Sequence, residues 1–557
     1  MQLTKEEINA CVEKAESLQA DRTEAESVWR QVRDYMLPNR PSFTTDNEDT
    51  NAVMANIFDG TAIDAINVSK AGINGMLTNA ALPWYSIEME NQELNKDENI
   101  RQALQEVNSV MPVEFHNSNF YTNIDVVYEE AIGYGQSCIF IIEGKKTALN
   151  FHPVPLKNVF TEEDSDGNID TVYRCFQYTK KQIVQKWGED ALSTQMRASK
   201  DDKKKYRIIH AVYPRKDREV TSKGEFKDDK YNKKFVSVYI EKEEKHIFDE
   251  GGYDEFPYAV PRLFLAEDGY GRGMGCNALP DVKMLNSMEK TGLRAWQKAV
   301  DPPTQGPDEG TTLPIKTGPG GHTYNSNWDK PGSEIKTLYP SGTFQNLPTF
   351  EQKCEAKRNQ IREFFFYKQF RTQQEGQPRT AQEIIQIASE NLKILGPLLN
   401  RFTEELLKPI ISRSFSILLR AGRFPKLAQL IAQGQIQTSF KIVYLSPIAK
   451  AQRLYEAQEL QNALNLLIPA AQVDQTILDN FDGDKYFQKI SGLYPVVTDI
   501  ARSEDQKLGI RNARAEAQAN AQAQANAMAT VEGLKTASET EPDTGLLGAL
   551  SGNVGMQ

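Results

Sequence analysis

RTAQEIIQIASENLKILGPLLNRFTEELLKPIISRSFSILLRAG, residues 379–422, is the stretch on which the reading of this chain turns. Thr380 followed three residues on by Glu383 forms a capping box, which starts a helix at a defined point. Apolar residues recur beyond it at helical spacing: Ile384, Ile387, Ala388, Leu395, Leu398, Leu399, Phe402, Leu406 and Ile410. Pro397 and Pro409 each remove a backbone donor and crowd the preceding turn, which predicts a bend or restart at both. Just upstream, RTQQEGQPR (371–379) is a polar loop with an arginine at each end, and another helix precedes it. Helix, flexible polar loop and kinked helix make a lever with an exposed tip. Such an arrangement suits mechanical rather than chemical work.

Upstream of the lever the period of the sequence changes twice. Residues 1–40 read as helix, ending near LPNRP. A second helix follows in 56–89, with Asp59 as N-cap, Ile63, Ile66, Ile73 and Leu77 on one face, and many small residues that permit close packing. Residues 98–133 read as helix again. From 137 to 265 short β-branched and aromatic runs (SCIFII, DTVYRCFQY, YRIIHAVY, FVSVYI) alternate with polar turns, interrupted by one helix around TKKQIVQKWG. Residues 277–300 form a further helix, with Asn277 near its start and Pro280 in the first turn. The Pro/Gly-dense 301–348 cannot be helical, and Thr349 with Gln352 makes a capping box opening a helix over 349–370. KIVYLSP (441–447) is strand-like, and Ser446 with Pro447 starts another helix. Residues 509–531 are Ala/Gln/Asn-rich without a large apolar stripe, so a helix there needs neighbours around it. The residues from Gly533 onward read as disordered.

Bulk properties narrow the function. A length of 557 residues allows roughly three to four domains. No apolar run approaches the roughly 18 residues of a membrane span, and the acidic, amphipathic MQLTKEEINACVEKAE lacks a signal-peptide core. Five scattered cysteines without a CxxC pair read as reduced thiols in a cytoplasmic compartment. A net charge of −11 argues against a dedicated DNA-gripping protein, because tight phosphate binding needs many cations, and leaves room only for weak, local contact with nucleic acid.

The candidate chemical motifs fail one by one. EEDSDGNID (162–170) places Asp164, Asp166 and Gly167 as a calcium loop would, but Tyr173 stands where the bidentate carboxylate belongs, so a β-turn is expected. GYGRGMG (269–275) fits neither phosphate-loop spacing and reads as conformational freedom at a junction. The five histidines are isolated and no GxSxG is present. No catalytic residue, metal site or cofactor is assigned. Two helices flanking the Pro/Gly module are mildly basic, with net +2 over 279–300 and +3 over 349–371, which suits a wall beside a polyanion that is not trapped by it.

Five motifs in order then carry a family resemblance: WRQVRDYMLP (29–38), DGTAIDA with GMLTNAALPW (59–84), SNFY with YEEAIGYGQSCIFI (118–141), YGRGMG with ALPDVKMLN (270–286), and PRTAQEI through LGP to ELLKP (378–409). Over roughly residues 20–530 the chain resembles the head-to-tail connector, or portal, proteins of short-tailed (podovirus) bacteriophages. The resemblance implies an α+β, mainly α, portal fold forming a ring. Its parts would be a wing (1–278, helical then β-rich over 137–265), stem helices 279–300 and 349–370, a clip (301–348) and a channel loop (371–380). A kinked long helix and wing return strand (381–446), a crown (447–532) and a disordered tail (533–557) would follow.

It further implies a non-enzymatic dodecamer at one capsid vertex, assembled in the host bacterial cytoplasm. That ring would nucleate head assembly, dock the terminase large subunit, conduct double-stranded DNA during packaging and ejection, and contact capsid, scaffolding and tail adaptor or tail tube proteins. Arg371, Gln373, Gln374, Gly376 and Arg379 would be the channel-loop residues. Lys290, Arg294, Lys298, Arg358, Arg362 and Lys368 would line the stem. Another virion structural protein, such as a tail adaptor or internal ejection protein, is the alternative. A terminase or nuclease is disfavoured by the missing Walker A and metal-carboxylate signatures.

Overall fold

Helix signals at the N-terminus act over a shorter range than the sequence suggests. Thr4 and Glu7 form a reciprocal capping box that opens α1 (Lys5–Asp21), yet the expected helix over 1–40 is two helices, because α2 (Thr23–Met36) restarts at Arg22. Arg22 is buried, and its guanidinium donates to the carbonyls of Leu156, Lys157 and Val159, which holds the joint. This computed structural model describes residues 3–44, 50–91, 94, 97–199, 201–219, 229–307, 316–325, 336–338, 347–371, 394–434, 440–445, 460–465, 469, 483, 485–487 and 504–538. The chain divides into two compact units, 1–450 and 451–557, rather than three or four.

The first unit continues with α3 (Thr50–Met54), α4 (Thr61–Leu77), β1 (Tyr85–Met89), α5 (Glu98–Asn117) and α6 (Phe120–Tyr134). Gly60, not Asp59, occupies the N-cap position of α4, although the Asp59 carboxylate still accepts from the Thr61 N–H at 2.8 Å. The helix read over 98–133 is likewise broken at Ser118–Asn119, where Asn119 turns its side chain to bond Phe151 on a neighbouring strand. Helices α2, α4, α5 and α6 share one large core, in which Trp84, Phe115, Phe120 and Phe151 form an aromatic cluster.

Short strands follow, as the change of period predicts: β2 (Ile139–Glu143), β3 (Leu149–Pro153), β4 (Val159–Glu163) and β5 (Ile169–Thr179). After α7 (Lys180–Trp187) and α8 (Thr194–Ala198) come β6 (Lys205–Pro214), β7 (Phe235–Glu241), β8 (Ile247–Tyr253), β9 (Tyr258–Ala259), β10 (Phe264–Leu265) and β11 (Gly271–Arg272). Strands β4 to β8 form an antiparallel meander in sequence order, and β3-β2-β9 a second sheet. Alternate residues serve opposite faces: Tyr173 and Ala211 join the core under α1, whereas Val172 and Val212 pack towards Phe140 and Tyr258 of the second sheet. The EEDSDGNID string is the β4–β5 turn, with Asp164 accepting from the N–H groups of Asp166 and Asn168.

The next helix, α9 (Met274–Val300), begins three residues before the expected 277, so Pro280 lies well inside it rather than in the first turn. The glycines of 269–275 explain the early start, and not through conformational freedom, since only Gly269 there has a positive φ (+76°). A Cβ on Gly273 would lie 2.5 Å from the Gly135 nitrogen and the Ile132 carbonyl oxygen, and one on Gly275 2.6 Å from the Gly133 oxygen. Bare backbone is required where the head of α9 crosses the end of α6.

Within the Pro/Gly module the described segments form β12 (Thr304–Pro307), β13 (His322–Asn325) and β14 (Lys336–Thr337), with β12 central, parallel to β13 and antiparallel to β14. Helix α10 (Leu347–Phe364) places Thr349 inside its first turn rather than at a cap. It ends at 364 instead of 370: Phe366 takes a left-handed conformation (φ 52°, ψ 34°), and a short α11 (Tyr367–Phe370) follows. The helix start at Thr380 lies outside the described residues. Residues 394–402 are helical through Pro397, with Leu395, Leu398, Leu399 and Phe402 buried as the periodicity predicts.

A π-helical turn over Thr403–Leu407 then leads into α12 (Lys408–Arg420). The Lys408 N–H reaches back five residues to the Thr403 carbonyl. Pro409 has no N–H to continue the normal ladder, so the helix widens at that point rather than stopping. After α13 (Pro425–Ala432), β15 (Phe440–Tyr444) returns to pair antiparallel with β1, Tyr85 opposite Tyr444.

In the second unit, residues 460–465 are helical, while the Ser446 start lies outside the described residues. Helix α14 (Glu504–Ser538) spans 35 residues, about 52 Å. It is longer than the expected 509–531 and runs through Gly533–Ser538, which reads as disordered from sequence. Residues 539–557 of the expected tail lie outside the described residues.

Candidate nucleic-acid interface

Helices α9 and α10 pack against each other antiparallel, and their seam shows why each position holds its residue. Gly292 leaves room for Phe350, whose Cε1 would be 2.7 Å from an added Cβ, and Cys354 and Ile361 are fully buried. Lys357 pairs with Asp281 across the seam at 2.8 Å. At 1.5 Å per residue the 27 residues of α9 measure about 40 Å.

The six cations expected on this pair of helices divide sharply. Arg358 is surrounded by four carboxylates: Asp59 at 3.0 Å, Glu289 at 2.5 Å, Glu351 at 3.0 Å and Glu355 at 3.1 Å. Burial works against its charge, but the hydrogen bonds it donates to Asp59, Glu351 and Glu355 outweigh that and raise its pKa above the ordinary guanidinium value. Asp59, where burial acts in the opposite sense, is held below the usual carboxylate range by Thr61 and Arg358. Arg362 shares Glu355 at 3.1 Å, and Lys368 pairs with Glu363 at 3.4 Å. Arg358 and Arg362 of α10, and Lys368 of α11, are therefore neutralised locally. Sequence reading missed Asp59 and Glu289 as their partners, because neither lies within a turn of Arg358.

Helix α9 differs. Lys283, Lys290, Arg294 and Lys298 fall at i, i+7, i+11 and i+15, on one stripe about 22 Å long. Lys283 donates to Gln31 at 2.9 Å, and the Lys290 ammonium sits 5.3 Å from the Phe58 ring centroid. Among the described residues, Lys283, Lys290 and Arg294 make no ion pair with a carboxylate. Arg294 is exposed, while Lys298 is half-buried. A cleft of about 590 Å³ lies beside Lys283, Asn286 and Lys290, walled opposite by Asp34, Tyr35, Val53 and Phe58.

Against this geometry the comparisons are decisive. The family model for bacteriophage head to tail connecting protein matches residues 9–500. The chain belongs to that family. It is 28% identical over 509 residues to a probable portal protein of Bordetella phage BPP-1, covering 89% of this chain and 90% of the other. It is 27% identical over 535 residues to the portal protein of Salmonella phage epsilon15, covering 94% of each.

Of the loop expected over 371–380 in this connector chain, Arg371 follows α11 directly and is exposed. Its guanidinium bonds the Tyr367 hydroxyl at 2.5 Å. Gln373, Gln374, Gly376 and Arg379 lie outside the described residues. Pro397 and Pro409 stand in the helical run on the far side of that loop, Pro409 at the π-turn. Among the described residues no cluster of three or more His, Cys, Asp or Glu could hold a metal, and no helix is long and apolar enough to cross a membrane.

Proposed function

We propose that this connector works as a phage portal. Twelve copies close into a ring at one capsid vertex, and α9 and α10 form the stem around its bore. The 301–348 module is the clip that meets the terminase motor and later the tail adaptor, and 371–380 fringes the channel. The β-rich section with its flanking helices makes the wing, and the second unit the crown. Such a ring nucleates head assembly with capsid and scaffolding proteins, passes double-stranded DNA inward, retains it and releases it.

The observation that carries this reading, beyond family membership, is the charge management of α10. A bore that held a cation free at every turn would grip each phosphate, and every neutralised phosphate adds about 0.9 to the salt dependence of binding. Tying Arg358 and Arg362 to carboxylates withdraws those two cations from phosphate, so a duplex passing the α9 stripe meets fewer free charges and slides. Helix α14 fits a ring as well: its described residues are almost all exposed, and neighbouring copies would cover them.

Negative-stain electron microscopy of the purified full-length protein, viewed end-on, tests the proposal. Closed rings with a central hole wide enough for a duplex are expected. Monomers or open filaments alone, under conditions that drive assembly, would overturn it.

A further inference from the structure

The joint between α10 and the channel loop is fastened to the wing by contacts that the connector role does not by itself require. Phe366 holds a left-handed backbone conformation that costs a non-glycine residue energy, so surrounding contacts must enforce it. Three of them come from α4. The Ser69 hydroxyl donates to the Phe365 carbonyl at 2.5 Å. Phe370 packs onto Gly72 so closely that a Cβ there would overlap its ring. Tyr367, buried at 9% exposure, donates its hydroxyl proton to Asp64 at 3.1 Å.

The direction of that last bond follows from chemistry. A guanidinium only donates, so the Tyr367 oxygen accepts from Arg371, and its own proton goes to the Asp64 carboxylate. Each bond polarises the next. Two guanidinium groups also lie within cation–π range of the Tyr367 ring, Arg371 5.5 Å and Arg362 5.8 Å from its centroid.

From this geometry we infer that Tyr367 and Asp64 are positioning residues for Arg371, fixing the first cation of the channel loop to wing helix α4. The inference rests on the channel reading of Arg371. An arginine at the root of a polar loop otherwise samples many rotamers, and holding it in one place concentrates its charge where a passing phosphate meets it. The wing thereby sets the height and direction of a ring of arginines in the bore. The docking of α11 does not depend on that chain, because Ser69 and Phe370 secure it independently.

The test uses full-length variants assembled into heads, with retained DNA measured after packaging, and ring formation checked in parallel. Arg371→Ala is expected to leave rings intact and lower retention several-fold. Tyr367→Phe keeps the ring contacts and removes only the hydroxyl, so it should lower retention by a similar factor. The double variant should be no worse than either single one, since both remove one interaction. Asp64→Ala gives the same expectation and replaces Tyr367→Phe should that variant not assemble. Additive losses, or normal retention with Tyr367→Phe and Asp64→Ala alongside impaired Arg371→Ala, would overturn the positioning role while leaving the channel reading intact. Normal retention with Arg371→Ala would remove both.

Discussion

Helices α9 and α10 carry similar basic content and handle it in opposite ways. In α10 the arginines are paired, with Arg358 joining the segment before α4, α9 and its own helix through four carboxylates. In α9 the cations stand in a stripe whose partners, where described, are an amide and an aromatic ring. Counting charge along the chain gives both helices a mild positive excess. What a polyanion would meet depends instead on which carboxylates the fold brings near. The same lesson applies to how the helices are joined to the rest of the first unit: α9 enters through bare glycine backbone, whereas α10 leaves through a tyrosine and an arginine.

The contrast can be broken at the hub. Arg358→Ala leaves Asp59, Glu289, Glu351 and Glu355 facing one another, and should destabilise the protein by about 2–3 kcal/mol, somewhat less than a fully buried pair because Arg358 keeps some solvent contact. Thermal unfolding at a fixed scan rate measures it, and Arg358→Lys should recover only part, lacking the planar fork.

A pH dependence follows from the same group. Glu355, through its bond from Arg358, and Asp59 both have folded pKa values below their unfolded ones. Their contribution is therefore complete above the ordinary carboxylate pKa of about 4, and is lost as pH falls through the lower folded values. The acid-side decline of the melting temperature should flatten in Arg358→Ala. An unchanged acid profile would show that these carboxylates are held by something else.

At the other end of the comparison, Gly273→Ala forces a methyl group onto the backbone of Ile132 and Gly135, where no flexible side chain can yield. A loss of about 1–3 kcal/mol is expected, with disturbed packing of the head of α9 on the end of α6. Gly60→Ala, with open space around it, serves as the control. The smallest effect belongs to the exposed pair between the end of α10 and α11. Lys368→Ala should change stability by less than about 0.5 kcal/mol, because Lys368 and Glu363 are both solvated. A larger loss there would mean that the division between paired and solvated cations is drawn in the wrong place.

Much of this architecture was legible in the chain. Periodic apolar residues found the buried face of 394–410, the shift to period two found the meander, and KIVY found the returning strand. Failures cluster where a break is imposed from outside the segment. Nothing in TFEQKCEAKRNQIREFFFYKQF signals a stop at Phe364, because the contacts that bend it come from Ser69, Asp64 and Gly72. Likewise the Gly-rich 269–275 looked flexible, since the backbone it abuts, residues 132–135, is remote in sequence. Of the candidate site, the basic residues were visible as residues, but their pairing was not.

Local signals by themselves settled the kinds of elements and their order, because apolar period, turn chemistry and helix propensity act within a turn or two of the backbone. The family resemblance, too, rests on motif order and needs no coordinates. Only the tertiary structure decided where α10 breaks, why α9 starts at Met274, and which cations remain for a partner. Those outcomes depend on ion pairs and steric contacts that fall off within a few ångströms, between residues that the chain keeps far apart until it folds.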